Sequence, residues 1–143
     1  MTAFWRNWLK VWCAAVLLFG VLLAGAAFEP TSGPTRFVLR LLGGPPDLAF
    51  DQTHRFGMAL LGAVTIGWAI TLFATIDAAL RLGPAGRPVW RTLTIAVVAW
   101  YVIDSGLSIA TGYGLNALSN TLFLVAFLIP VRASGATSVK PST

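Results

Sequence analysis

Long apolar runs separated by short polar connections dominate the sequence. Four runs come close to the about 20 residues that a helix needs to cross the hydrocarbon core of a bilayer. They cover residues 11–28, 56–76, 92–110 and 115–131. The runs are continuous rather than alternating, which favours helices over barrel strands, and a helix satisfies its own backbone within lipid. The pattern predicts an all-α integral membrane four-helix bundle that forms one domain over residues 1–131.

The connections predict how the four helices follow one another. The second and third connections are short, which favours an up-down-up-down bundle. The first, residues 29–55, is long enough to contain a short helix over residues 35–42, with Pro34 in its first turn and the Gly43-Gly44-Pro45-Pro46 sequence ending it. Its apolar residues share one side and its two arginines another, which predicts a helix at the membrane interface with its arginines near headgroups. A disordered loop is the alternative.

Composition narrows the class of protein. The chain is 57% hydrophobic and only 10% charged, with a mean hydropathy of +0.78, whereas a soluble domain carries about 25% charged residues. The net charge of +5 arises from ten bases against only five acids, so it does not indicate a nucleic-acid partner. The single Cys13 excludes an internal disulfide and a cysteine-rich zinc site. We expect the lipid bilayer as a partner, and no cofactor or metal.

The distribution of lysine and arginine predicts the orientation. Seven of these residues lie on the side of the N-terminus, the second connection and the tail, and three on the other side. By the positive-inside rule, both termini are expected in the cytoplasm of a bacterium, with the bundle in the inner membrane. A tryptophan belt is expected at the same surface, formed by Trp5, Trp8, Trp12 and Trp90. Residues 132–143 are predicted to be a disordered cytoplasmic tail. Alternatively, the first run with its Ala24-Gly25-Ala26 sequence is a cleaved secretory signal.

Asp104 is the one acid predicted well inside a span, about 10 Å below the outer end of the third run. An unpaired carboxylate there costs about 2.5–3.5 kcal/mol, so it should face the bundle interior. In one interpretation Arg55 and Asp104 form a structural ion pair, and Asn120 adds an interhelical hydrogen bond. In the other, the surrounding polar cluster binds a ligand or accepts a proton. The predicted ligand or proton site consists of Tyr101, Asp104, Ser108, Asn116, Asn120 and Arg55.

Small residues recur along the second run, where they allow another backbone to approach closely. The predicted helix-packing residues are Ala59, Ala63, Gly67 and Ala74. They fit contact within the bundle, with another membrane subunit or with a second copy of the chain. Near the cytoplasmic end, the four-residue spacing of Asp77 and Arg81 predicts a local ion pair. Asp51 is expected to cap the start of the second membrane helix.

No catalytic motif stands out, because the only histidine, His54, lies at a helix mouth and no phosphate-binding glycine loop or metalloprotease helix occurs. The four short spans, the Arg55-Phe56-Gly57 opening of the second span and the tail after the fourth resemble small bacterial DoxX-like membrane proteins of unknown function. This resemblance covers about residues 11–131 in layout, implies an inner-membrane four-helix bundle and transfers no catalytic residue. The sequence therefore predicts a non-catalytic accessory or interaction subunit of a membrane complex. The alternative is a small transporter, or a protein that binds a lipophilic ligand, centred on Asp104.

Overall fold

The computed structural model describes residues 1–137, and all regular secondary structure in this range is helical. The helices are α1 (Ala3–Ala24), α2 (Gly33–Leu41), α3 (Gln52–Arg81), α4 (Arg87–Ala110) and α5 (Gly114–Ala133). Short 3-10 turns follow α1 and α3. Four helical segments, built on α1, α3, α4 and α5, are long and apolar enough to cross a membrane. The predictions of an all-helical chain and of four candidate spans are therefore confirmed.

All four long helices begin before the predicted runs, and α3 and α5 also end after them, because polar residues extend these helices. The carboxylate of Asp51 caps α3 by accepting a hydrogen bond from the backbone N–H of His54 at 2.8 Å, as predicted. At the other end of α3, Arg81 Nε donates to Asp77 at 2.8 Å, which confirms the predicted local pair. The first predicted run continues past α1 into the 3-10 turn Gly25–Ala27.

The helices pack mainly as two pairs, α1 with α3 and α4 with α5. The α1–α3 contact depends on Gly20 and Gly62. A Cβ atom on Gly20 would lie 2.9 Å from the backbone nitrogen of Ile66, and one on Gly62 would lie 2.7 Å from the carbonyl oxygen of Gly20. Only glycine at both positions lets the two backbones approach this closely.

The apolar core lies in one half of the molecule, which we call the core half. It is built from the N-terminal halves of α1 and α4 and the C-terminal halves of α3 and α5. Its largest side chains are Leu9, Trp12, Val16, Leu72, Ile76, Trp90, Leu93, Val97, Phe127 and Val131. Trp12 is 5% exposed and Trp90 is 3% exposed. Both tryptophans therefore fill space between helices rather than facing outward, and the expectation of an interfacial belt stays a prediction.

Two tryptophans of α1 also hold α5 by hydrogen bonds. Trp12 Nε1 donates to the carbonyl oxygen of Phe123 at 3.0 Å, and Trp8 Nε1 donates to that of Ala126 at 2.8 Å. Ala126 lies four residues before Pro130, which sits inside α5 and has no N–H to donate. The indole of Trp8 therefore donates the hydrogen bond that Pro130 cannot donate.

The long connection folds onto the opposite end of the molecule, so the alternative of a disordered loop is wrong. The helix α2 spans Gly33–Leu41, close to the predicted 35–42. Thr35 is fully buried, and its hydroxyl donates to the carbonyl oxygen of Leu22 at 2.6 Å. Beyond α2, Gly43 has a φ of 107° and packs near Gly112 in the α4–α5 turn. The connection thereby ties the end of α1 to the start of α5.

The predicted tail differs from the structure at its beginning. Arg132 and Ala133 still belong to α5, and the turn after the helix is closed by Ser134, whose hydroxyl donates to the carbonyl oxygen of Pro130 at 2.7 Å. The remainder of the predicted tail, residues 138–143, lies outside the described residues.

Candidate functional site

A series of polar side chains joins α4 to α5 in the half of the molecule opposite the core. Asn116 Nδ2 donates to Ser108 Oγ at 2.8 Å and to Asp104 Oδ1 at 3.4 Å. One helical turn further in, Asn120 Nδ2 donates to Ser105 Oγ at 3.4 Å. We call the whole set the polar ladder: Tyr101, Asp104, Ser105, Ser108, Asn116, Asn120 and Thr121. The half that contains it is the ladder half.

The innermost contact of the polar ladder is between Tyr101 and Thr121, whose hydroxyl oxygens lie 3.1 Å apart. The Thr121 hydroxyl donates to the carbonyl oxygen of Ala117 at 2.8 Å, so the Tyr101 hydroxyl acts as the donor to Thr121. Tyr101 lies nine residues before the end of α4 at Ala110, or about 14 Å along the axis. The polar ladder therefore extends to about 14 Å from the end of α4.

Sequence spacing explains why these residues meet. On α4 they recur every three or four residues and so share one face, and α5 presents its polar residues at a matching interval. The tight turn between the helices fixes their register: Gly112 has a φ of 87°, and Tyr113 N donates to the carbonyl oxygen of Ser108 at 2.8 Å. Sequence reasoning missed Ser105 and Thr121, although Ser105 stands four residues after Tyr101 on the same face.

Burial divides the polar ladder into structural and accessible members. Ser105, Ser108 and Asn120 are 7%, 6% and 6% exposed, so their hydrogen bonds are made away from solvent or lipid. Asp104 is only half-buried. Its Oδ1 accepts hydrogen bonds from the Ser108 hydroxyl at 3.2 Å and from Asn116. Within residues 1–137, every ion pair involves another acid. The carboxylate of Asp104 thus has neutral hydrogen-bond donors and no cationic side chain.

Arg55 does not form the expected pair with Asp104. It pairs instead with Glu29, and its Nη1 donates to the carbonyl oxygen of Ala26 at 3.3 Å. Arg36 contacts the same carboxylate at 2.8 Å and 2.9 Å. The reason is the path of the chain: the 3-10 turns after α1 place Glu29 beside the first turn of α3, so Arg55 meets this carboxylate first.

The three residues Glu29, Arg36 and Arg55 form what we call the Glu29 cluster. The two arginine side chains are 25% and 20% exposed, whereas that of Glu29 is 62% exposed. The guanidinium of Arg36 also lies over the ring of Phe50, 5.3 Å from its centre. Arg36 therefore points toward the protein, and the expectation that it lies near headgroups stays a prediction. Arg40, one turn later, is exposed.

The predicted packing residues of α3 lie on the surface more than in the bundle. Ala63, Gly67 and Ala74 are exposed and Ala59 is half-buried. No neighbouring atom lies within 4 Å of where a Cβ on Gly67 would stand. We call Ala63, Gly67 and Ala74 the small-residue face. It stays free within the described chain, and Gly62 makes the close contact with α1 instead.

Asp51 and His54 form a separate exposed pair at the start of α3, with 2.8 Å between His54 Nδ1 and Asp51 Oδ1. A hydrogen bond from the backbone N–H of His54 lowers the pKa of Asp51 below its ordinary value of 3.8, and the contact with the His54 side chain lowers it further. In residues 1–137, no three His, Cys, Asp or Glu side chains are grouped to hold a metal ion.

Comparison with family models, with curated proteins and with solved structures found no match. The likeness to DoxX-like proteins therefore stays a prediction.

Proposed function

We propose that the chain crosses a bilayer four times as an up-down bundle. The exposed surfaces of the long helices support this arrangement. Val11, Phe56 and Ile95 are each 69% exposed, and Leu122 on α5 is 65% exposed. Soluble monomers rarely expose apolar patches of more than a few hundred Å², whereas such surfaces suit lipid. The core half contains the N-terminal halves of α1 and α4 and the C-terminal halves of α3 and α5. Successive long helices therefore run in opposite directions, as an up-down bundle requires.

Both termini are proposed to lie in the cytoplasm, with the bundle in a bacterial inner membrane. The core-half end has six basic residues among those described and one acid, Asp77. The basic residues there are Arg6, Lys10, Arg81, Arg87, Arg91 and Arg132. The opposite end carries three arginines and three acids. An excess of basic residues in short connections favours the cytoplasmic side. Labelling of Thr111→Cys, in a Cys13→Ala background, with an impermeant maleimide tests this; labelling from the cytoplasmic side contradicts it.

Within this membrane protein, we propose the role of a non-catalytic interaction subunit that docks through the small-residue face. The observation that carries the proposal is the exposure of this face, which no part of residues 1–137 covers at Gly67. In lipid, helices associate by van der Waals contact between closely approaching backbones rather than by the hydrophobic effect. A face lined by small residues provides that contact to a neighbouring helix.

Gly67→Leu tests the proposed docking face, because the added side chain blocks close approach without meeting another part of the chain. The matched control is Gly106→Leu on α4, where a Cβ atom also has open space around it. In mild detergent, the wild type and the control should elute as a complex of defined mass in native sizing, and Gly67→Leu should elute as the single chain. A wild type that elutes as a monodisperse single chain contradicts the interaction role.

A second role is favoured by Asp104, whose half-buried carboxylate has only neutral hydrogen-bond donors in the described chain. We propose as the alternative that Asp104 is the polar centre of a small transporter or of a site for a lipophilic ligand. Asp104→Asn keeps the shape and one acceptor oxygen but removes the charge. Proteoliposomes of the wild type should then carry a proton-linked or cation-linked flux that this variant abolishes. Equal flux in both proteins, with retained helicity, contradicts the alternative.

A further inference from the structure

An open cavity of about 410 Å³ lies between the ends of α1 and α3 at the core-half end. On the α1 side, Arg6, Asn7 and Lys10 line it. On the α3 side, it is lined by Asp77 and Arg81. These polar side chains, together with Met1, Ala3 and Leu80, line the cavity at the point where two long apolar helices leave the proposed membrane.

The charge of the cavity is unbalanced. Its one acid, Asp77, is already engaged by Arg81 Nε at 2.8 Å. Within residues 1–137, neither Arg6 nor Lys10 belongs to an ion pair. Both side chains are exposed. Three cationic side chains against one acidic side chain give the lining a formal side-chain charge of +2, so the cavity favours an anion.

Apolar surface continues from this cavity along both helices. On α1, Ala14 and Val21 follow Lys10 by four and eleven residues, which places them on the same face. On α3, Phe73 and Ile70 precede Asp77 by four and seven residues. Val21, Phe73 and Ile70 are 53%, 47% and 60% exposed. A ligand with a charged head and long apolar chains would match both parts of this surface, whereas a free anion would use only the cavity.

We propose that this cavity binds the phosphate headgroup of an anionic phospholipid, whose acyl chains lie along the exposed apolar faces of α1 and α3. Basic pockets between membrane helices on the cytoplasmic side bind such headgroups in other proteins. Arg6 offers a planar pair of donors to phosphate oxygens, and Lys10 adds a point charge. The proposal rests on the membrane embedding proposed above. On α3, Ile70 shares a helix face with Gly67 and Ala74, so the acyl chains and a docked helix would compete for this part of the surface.

Native mass spectrometry of the full chain tests the proposal. The protein is released from phosphatidylcholine nanodiscs into which phosphatidylglycerol has been titrated. The wild type should retain phosphatidylglycerol in preference to phosphatidylcholine at equal concentration. Arg6→Gln/Lys10→Gln should weaken phosphatidylglycerol binding by about 30-fold, because each lost hydrogen bond from a basic side chain to the headgroup phosphate lowers the affinity roughly fivefold. Equal retention of the two lipids by the wild type overturns the proposal even if the variant does not fold.

A matched control separates the cavity from the general positive charge of this end. Arg91→Gln/Arg132→Gln removes the same charge from exposed residues that do not line the cavity, so the affinity should stay close to that of the wild type. An equal loss in this control overturns the site.

Two further arms identify the ligand and the environment. Displacement of the retained lipid by millimolar inorganic phosphate would identify a free-anion site and overturn the lipid assignment; persistence of the lipid supports it. Flotation of the chain with vesicles reports membrane embedding separately. A chain that floats without preferring phosphatidylglycerol refutes only the lipid site, and a chain that does not float refutes the embedding.

Discussion

The hydrogen bond from Trp8 to the carbonyl of Ala126 should be a measurable source of stability. Pro130 leaves that carbonyl without its i+4 helical donor, and Trp8 Nε1 lies 2.8 Å from the oxygen. Trp8→Phe keeps an aromatic ring but removes the donor. The free energy of unfolding should therefore fall, because the carbonyl oxygen of Ala126 would be left without a donor.

The expected loss of unfolding free energy depends on the surroundings of the Trp8 hydrogen bond. Interhelical hydrogen bonds in membrane proteins average about 0.6 kcal/mol and reach about 1.7 kcal/mol. Trp8 is 40% exposed, so the smaller ring of phenylalanine also removes some apolar contact. Taken together, a loss of about 1–2 kcal/mol is expected for Trp8→Phe. The part due to the hydrogen bond should be about 1 kcal/mol.

A double-mutant cycle with Pro130→Ala isolates that part. Alanine at position 130 restores a backbone N–H to Ala126, so Trp8→Phe should cost about 1 kcal/mol less in this background. Unfolding is followed by far-UV circular dichroism during titration with dodecyl sulfate in mixed micelles. Trp5→Phe is the control, because no hydrogen bond within residues 1–137 uses the Trp5 indole. If Trp8→Phe costs the same with and without Pro130, the indole does not replace the missing helical donor and the reasoning is refuted.

Three other substitutions test separate features by the same unfolding measurement. Gly62→Ala should lower the free energy of unfolding by about 1–3 kcal/mol, because its Cβ would meet the backbone of α1. Gly67→Ala should be neutral or stabilising by up to about 1 kcal/mol, because it only removes a glycine from a helix. Equal losses in the two variants would contradict the close α1–α3 contact. Thr35→Val keeps the side-chain shape and removes the bond to the Leu22 carbonyl, so stability should fall by about 1 kcal/mol, and an unchanged midpoint would show that this bond contributes nothing. The pKa of Asp51 is lowered in the folded state, so the stabilisation by its carboxylate is present above the ordinary pKa of 3.8 and is lost as the pH falls through the folded value. Asp51→Asn should therefore lower the free energy of unfolding more at pH 6 than at pH 3. An equal loss at both pH values would refute the stabilising role of the charged cap.

The number and order of the four long helices could be predicted, because each requires a continuous apolar run of about 20 residues. Which face of each helix turns inward could not. The helix α3 is apolar on nearly all sides, so its periodicity does not distinguish Gly62, which contacts α1, from Gly67, which faces outward. Tryptophan is common both at interfaces and in cores, so the burial of Trp12 and Trp90 also depended on the packing of other helices.

Part of the candidate site could be predicted from the sequence, and part could not. The residues that Asp104 meets on its own helix and on α5 follow from helical spacing and a short turn, and the structure brings Ser108 and Asn116 to it. The pairing of Arg55 with Glu29 rather than with Asp104 depends on the folded path of the first connection. That path is set by 3-10 turns and by the buried hydroxyl of Thr35. Local patterns do not specify such long-range placement.

The two halves of the bundle differ in what a rearrangement would cost. In the core half, α4 and α5 are held to α1 and α3 by close-packed side chains such as Val97 and Phe127, both fully buried; opening a cavity there costs about 2–5 kcal/mol per large side chain. In the ladder half, the α4–α5 contact uses hydrogen bonds worth about 0.6 kcal/mol each on average. A ligand or proton at Asp104 could therefore exchange its partners for less free energy than any change in the core half. If the protein changes conformation in function, the movement should occur between α4 and α5 in the ladder half, while the core half and the small-residue face of α3 keep their structure.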